Sequence, residues 1–228
     1  MSSSRIAVLL ADDHSIVREG YKALLSRQPD IEIIGEADSG RLAVDLVKKL
    51  KPQVVVMDIG MPLLNGMEAT RQLTAELPET KVIILSAYND EDYLDRVLTC
   101  GAKGYILKKS SAAVLAKAIR EVAKGGFFLD AEIARRRSPG KTGKDGATQK
   151  PDGITLSSRE AEVLQLIAEG VANKNIADEL HLSIKTVEKH RQRLMDKLHI
   201  HNTAGLTRYA LVQGVIEGRT QLNSTGAA

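Results

Sequence analysis

The sequence predicts two domains of different class: an α/β domain on a five-stranded parallel sheet with helices on both faces, then a smaller all-α domain. Three observations lead there. The 228 residues suit one large or two small domains, at ~150 residues per domain. Up to residue 123, short runs rich in Val and Ile alternate with amphipathic stretches, the pattern of βα units whose strands are covered on both sides. A stretch with four glycines, two prolines and no large apolar residue, Arg135–Gly153, then separates that region from one with helical patterns only.

The strand-like runs are Ile6–Leu10, Ile31–Gly35, Val54–Met57, Val82–Leu85 and Gly104–Leu107. They are brief and β-branched, which suits fully buried strands. The stretches between them, Ile16–Arg27, Arg41–Leu50, Gly66–Glu76 and Asp92–Cys100, show 3.6-residue spacing, and Ala112–Ala123 follows the last strand. The Arg135–Gly153 segment cannot bury enough surface to offset its ordering entropy and reads as a flexible basic linker. Beyond it, Ser157–Ala168 runs to a glycine stop at Gly170, followed by Lys174–Leu180, a tight turn, Ile184–Leu198 and Ala204–Gln213. Ser183 is placed to cap the third of these helices. The expected domains are therefore 1–134, a linker at 135–153, a helical domain at 154–219, and a disordered tail at 220–228.

Composition narrows the function. With 43% hydrophobic and 27% charged residues, the chain is an ordinary globular protein. No apolar run approaches the ~18 residues that span a bilayer, and the first apolar stretch, cut off by Asp12-Asp13, is too short for a signal peptide. No membrane partner is expected. The lone cysteine, Cys100, has no disulfide partner in the chain, so a reduced, cytoplasmic setting is expected. Seven aromatics and no Trp argue against a stacking platform for single-stranded nucleic acid. The net charge of +3 is unevenly spread. Residues 1–134 hold 17 basic and 19 acidic residues, 135–153 hold 6 and 2, and 154–228 hold 9 and 8. Within the last third, Ile184–Leu198 is locally basic. An acidic front and a basic helix at the back suggest two tasks.

In a parallel sheet the strand ends converge although they are distant in sequence. Asp12 and Asp13 end the first strand, Asp58 the third, Ser86 the fourth and Lys108 the fifth. Three carboxylates together repel one another, and a hard divalent cation with oxygen ligands, Mg²⁺ above all, relieves that repulsion. A carboxylate can also attack phosphorus. Such a transfer needs neutralised charge and positioning, which a metal, an ammonium and a hydroxyl supply.

These residues lie within A-D-D-H (11–14), V-V-M-D-I-G-M-P-L-L-N-G-M-E (55–68), I-L-S-A (84–87) and G-A-K-G-Y-I-L-K (101–108). Over residues 5–126 the chain resembles the receiver domain of two-component response regulators, a flavodoxin-like fold. The resemblance implies that Asp58 is the phosphoacceptor, Asp13 a direct metal ligand and Asp12 an outer-sphere one. The Gly60 carbonyl would complete the protein's share of the Mg²⁺ shell. Ser86 and Lys108 would hold the phosphoryl oxygens, and Tyr105 would be a rotamer switch coupled to that hydroxyl. Pro62 and Gly66 would shape the loop after the acceptor. Neither Gly60 nor Tyr88, the positions that commonly tune phosphoryl lifetime in such domains, can orient a water, so slow self-hydrolysis is expected.

Past the linker, N-K-N-I-A-D-E-L (173–180), a short turn and a capped basic helix have the form of a helix-turn-helix. Ile176, Leu180, Leu182 and Val187 would fill the core, and Ala177 would let the helices cross closely. With Val187 inward, Lys189 and Gln192 could reach base edges, and Lys185, Arg193 and Lys197 phosphates, with Lys174 adding a phosphate contact. Glu188 could accept from a cytosine amine, and Thr186 on the same helix is a further expected DNA contact. His181, His190, His199 and His201 lack a carboxylate or cysteine at ligand spacing and are read as DNA-side or surface residues, not zinc ligands. The stretches L-S-S-R-E-A-E-V-L and S-I-K-T-V-E-K-H resemble the LuxR-type helix-turn-helix. That likeness implies dimer contacts through the helix from Thr203 to Gln213 and an inverted-repeat site on double-stranded DNA.

Receiver, linker and this module together resemble NarL/FixJ-type response regulators. The resemblance implies a transcription regulator, not an enzyme, that takes phosphoryl from a sensor histidine kinase and dimerises on activation. An Mg²⁺-dependent phosphohydrolase and a scaffold with a protein-binding helical domain are the alternatives.

Overall fold

The computed structural model describes residues 5–87, 91–136 and 156–216. Tyr88, most of the expected linker and the expected tail lie outside them. The chain divides into two compact units, Met1–Glu162 and Val163–Ala228.

The first unit is a parallel sheet with strands β1 (Ile6–Ala11), β2 (Ile31–Ala37), β3 (Val54–Asp58), β4 (Lys81–Ser86), β5 (Gly104–Leu107) and β6 (Phe128–Leu129), in the order β2-β1-β3-β4-β5-β6. The helices between them are α1 (Ser15–Leu25), α2 (Gly40–Leu50), α3 (Gly66–Glu76), α4 (Glu91–Thr99), α5 (Ala112–Ala123) and α6 (Ala131–Arg136). Side chains alternate across each strand, so two separate cores form. Leu9, Val55, Met57, Ile84 and Tyr105 pack with α2, α3 and α4 on one face. Val8, Leu10, Val54, Val56, Ile83 and Ile106 pack with Leu25 of α1 and with α5 on the other.

The expected five strands are present. The sixth, β6, has two residues at the sheet edge, pairing Phe128 with Gly104 and Leu129 with Tyr105. A two-residue strand has no alternation to detect. Directly after it, α6 runs two residues past the expected start of the linker, with Asp130 accepting from the Glu132 amide at its head, 3.0 Å.

The strand order reverses between β1 and β3, so the crevice at their carboxyl ends is the place where a sheet of this kind binds ligands. The α3 start is pressed against that crevice. Asn65 caps α3 by accepting from the Glu68 amide at 2.9 Å, and the Gly66 amide donates to the Ile59 carbonyl at 2.9 Å.

The helical elements that follow are α7 (Ser158–Ala168), α8 (Asn173–Glu179), α9 (Ile184–Leu198) and α10 (Thr203–Val212). The unit boundary falls within α7. Val163, Leu166, Ile176, Ala177, Leu180, Val187, Leu194, Leu206 and Ala210 are buried, whereas Leu182 is only partly so. Gly170, at φ 82°, ends α7 in the left-handed conformation that costs glycine least. Ser183 accepts from the Thr186 amide at 3.1 Å and caps α9. No helix among the described residues is long and apolar enough to cross a membrane.

Candidate phosphoryl site and nucleic-acid interface

The β1 end brings Asp12 and Asp13 beside Asp58, the last residue of β3. Register pairs Asp58 with Leu85 and Ser86 with Leu107, so the buried Ser86 and then Lys108 follow in order along the crevice. The Lys108 amide donates to the Ser86 carbonyl at 2.8 Å. Its ammonium bridges two buried carboxylates, 2.9 Å from Asp12 Oδ2 and 2.9 Å from Asp58 Oδ2. Burial works against the lysine's charge, but Asp58 and Asp12 outweigh it and hold its pKa above the ordinary value. The Ile59 amide donates to Asp58 Oδ1 at 2.9 Å. One carboxylate oxygen is thus fixed by backbone and the other by an ammonium.

Carboxylate or imidazole atoms of Asp12, Asp13, His14 and Asp58 all lie within 4.8 Å of one another. Asp12 and Asp58 are 2% and 3% exposed. Lys108 brings one positive charge to a cluster of three carboxylates, which leaves negative charge to offset, and their hard oxygen donors match Mg²⁺, so the donor set fits the expected metal. Gly60 is half-buried in the loop directly after Asp58. Tyr105 is fully buried within β5, in register with Ile84, and its carbonyl accepts from the Asp130 amide.

Sequence reasoning missed several supports. Arg18, on α1, donates to the Asp12 carbonyl at 2.6 Å and lies 3.4 Å from Glu36 of β2. The Tyr21 hydroxyl donates to the Lys108 carbonyl at 3.1 Å. Burial raises the Tyr21 pKa, Lys108 opposing that and the aspartates adding to it. Asp130 accepts from the Leu107 amide and the Ser110 hydroxyl, tying down the loop that carries Lys108. No local pattern signals these contacts, which join residues up to 87 apart in the chain.

In the helical unit, Lys185, Glu188, Lys189, Gln192, Arg193 and Lys197 are all exposed on α9, and Lys174 is exposed at the start of α8. Thr186 is half-buried, its hydroxyl sharing a hydrogen bond with Ser183 at 2.8 Å, so it contributes chiefly to the cap. The Gln192 amide donates to Asp196 at 2.8 Å. Arg191, basic but not among the expected contacts, instead ties α9 to Asn173 and Thr203. Leu211 and Val212 on α10 are exposed apolar side chains.

Comparison with known proteins agrees with both halves. Residues 8–120 match the response regulator receiver domain, and 154–210 match the bacterial regulatory proteins of the luxR family. The chain is 40% identical over 215 residues to the oxygen regulatory protein NreC of Staphylococcus haemolyticus, covering 92% of this chain and 99% of the relative. Among solved structures it is similar to the RcsB response regulator of Salmonella typhimurium, with TM-score 0.55 and 27% identity over 92% of this chain and 99% of that one. An RcsB–DNA complex is similar at TM-score 0.55 and 28% identity, covering 90% and 98%.

Proposed function

The chain belongs to the response regulators that join a receiver domain to a LuxR-type DNA-binding domain, and from that premise we propose that Asp58 is its phosphoacceptor and α9 its DNA-reading helix. The observation that carries the first half is the Lys108 ammonium bridging Asp58 and Asp12 at 2.9 Å each. An Asp58 oxygen attacks the phosphorus of a phosphohistidine on a sensor kinase. A P–O bond forms, the P–N bond breaks, and the departing imidazole takes its proton from solvent. Asp13, Asp58 and the Gly60 carbonyl would hold Mg²⁺, with Asp12 supporting it indirectly, and the ion would supply charge neutralisation.

Lys108, already charged and beside Asp58, shifts its pairing to the new phosphoryl oxygens. The Ser86 hydroxyl donates to another of them, and Tyr105 follows that hydroxyl as the switch. Activation then favours a dimer through α10. Lys189 and Gln192 meet base edges of an inverted repeat, with Glu188 available to a cytosine amine. Lys174, Lys185, Arg193 and Lys197 meet phosphates, Thr186 supporting the helix start. The proposed organisation is a receiver at 1–134, a linker at 135–153 and the DNA-binding domain at 154–219, in a cytoplasmic protein. Family membership disfavours the phosphohydrolase and scaffold alternatives.

Incubation with Mg²⁺ and a small acyl phosphate, followed by intact mass measurement, tests the acceptor. Wild type should gain one phosphoryl group that Asp58→Asn does not. An adduct of equal yield on the variant would overturn the assignment.

A further inference from the structure

The A-D-D-H motif contains a residue that the phosphoryl chemistry does not use. His14 stands at the N-cap of α1 with φ −85° and ψ 105°, yet its side chain caps nothing. At that position Ser, Thr, Asp or Asn would stabilise the helix by accepting from an otherwise unpaired backbone amide. The imidazole turns back instead, with Nδ1 2.8 Å from Asp13 Oδ1 and 3.3 Å from Asp12 Oδ1. The turn is held by the His14 amide, which donates to Asp12 Oδ1 at 2.9 Å.

These separations have a chemical meaning. Two ligand atoms at right angles on an octahedral cation, each bonded at ~2.1 Å, stand about 3.0 Å apart. The Nδ1 and Asp13 Oδ1 atoms are spaced as neighbours in one coordination shell. Nδ1 donates to Asp12 Oδ1 here, but the ring is half-exposed, with 55% of the side chain accessible, so it can take the tautomer that carries its proton on Nε2 in solvent and turn the Nδ1 lone pair toward a cation. Imidazole is a poor ligand for Mg²⁺ and a good one for later divalent ions, whose affinity for nitrogen rises along the first transition row.

We propose that His14 is an additional protein ligand of the acidic site, giving it a nitrogen donor that selects Mn²⁺ and later divalent transition ions over Mg²⁺. The proposal rests on the metal-binding reading of Asp12, Asp13 and Asp58. Mg²⁺ binds through the oxygen donors alone, and the transition ion binds through those and Nδ1. The phosphoryl site would then respond to which divalent ion is available, not only to the kinase.

The test is pulsed electron paramagnetic resonance on the full chain loaded with Mn²⁺ alone. Directly coordinated imidazole nitrogen should couple to the ion, and histidine-selective ¹⁵N labelling should change that coupling. His14→Ala and His14→Ser should both abolish it, serine also offering a helix cap so that folding is preserved. Calorimetric titration should show Mn²⁺ binding weakened by roughly tenfold or more in both variants and Mg²⁺ binding within twofold of wild type. Absence of nitrogen coupling in wild type overturns the proposal, as does coupling that survives both substitutions. If Mn²⁺ binds without nitrogen coupling, the acidic site stands and His14 alone is dismissed. If Mn²⁺ does not bind at all, the acidic-site reading fails as well.

Discussion

Replacing Gly66 by alanine should damage both the stability of the receiver and its chemistry, because this glycine is where α3 rests on the end of β3. A Cβ built there would lie 1.8 Å from the Asp58 carbonyl oxygen, 2.8 Å from its carbonyl carbon and 3.0 Å from Met57 Cγ. Real Cβ contacts stay beyond 3.0 Å, so α3 or the strand end must retreat by at least 1.2 Å, the gap between those two distances. The obstacle is backbone and cannot swing aside. Overpacking costs ~1–3 kcal/mol when side chains can adjust, and a rigid neighbour puts this case at about 3 kcal/mol or above. The displaced residue is Asp58 itself, and a misplacement of ~1 Å in a reacting group costs on the order of 10²-fold in rate.

Native-state hydrogen exchange of the β3 amides reports receiver stability without interference from the helical unit, and the rate of phosphoryl gain from an acyl phosphate reports the chemistry. Gly20→Ala is the control. Nothing lies within 4 Å of its added Cβ, so it should stabilise α1 by ~1 kcal/mol through helix propensity. Wild-type exchange protection and wild-type phosphorylation in Gly66→Ala would refute the steric argument.

Other outcomes follow from single sites. Gly60→Asn places an amide beside the proposed acceptor and should shorten the phosphoryl lifetime at Asp58; an unchanged decay of the mass adduct would contradict the idea that this position leaves water unoriented. Burial pushes the Cys100 thiol up to about 11. Its contribution to stability is therefore complete below the unfolded value of 9.0 and is lost as pH rises toward 11. A thiol reagent at pH 8 should label the native protein only as fast as it opens, and rapid stoichiometric labelling would contradict that. Lys197→Ala should weaken DNA binding equally across sequences and lower the salt slope by about 1, whereas Lys189→Ala should relax sequence preference. Identical effects of the two on a panel of duplexes would remove the distinction between phosphate and base contacts.

Much of the fold was readable because buried parallel strands have a plain signature. Val54–Met57 and Val82–Leu85 could hardly be anything else, and α9 began and ended as expected because Ser183 caps it and His199 closes it at φ 54°. The edge strand β6 was not readable, having two residues and little burial to mark it. Helix α6 hides for a related reason: it is six residues long and owes its start to an Asp130 cap after a double-glycine turn. At the site, the residues that end strands were legible because topology alone gathers them. Arg18, Tyr21 and Asp130 were not, since each acts on a backbone atom or loop reached only through tertiary folding. His14 was visible as a letter of the motif, but the direction of its ring is a property of the turn.

Phosphoryl on Asp58 is proposed to govern recognition by α9, and one selection experiment on the full chain decides whether it does. Wild type and Asp58→Asn, each incubated with Mg²⁺ and acyl phosphate, would be used to select from a random pool of duplex DNA, and the recovered sequences compared. Phosphorylated wild type should enrich an inverted repeat and bind it more tightly than the unphosphorylated protein, while Asp58→Asn should gain nothing from the phosphate donor. The same repeat, enriched with the same affinity by both proteins whether or not the donor is present, would contradict it.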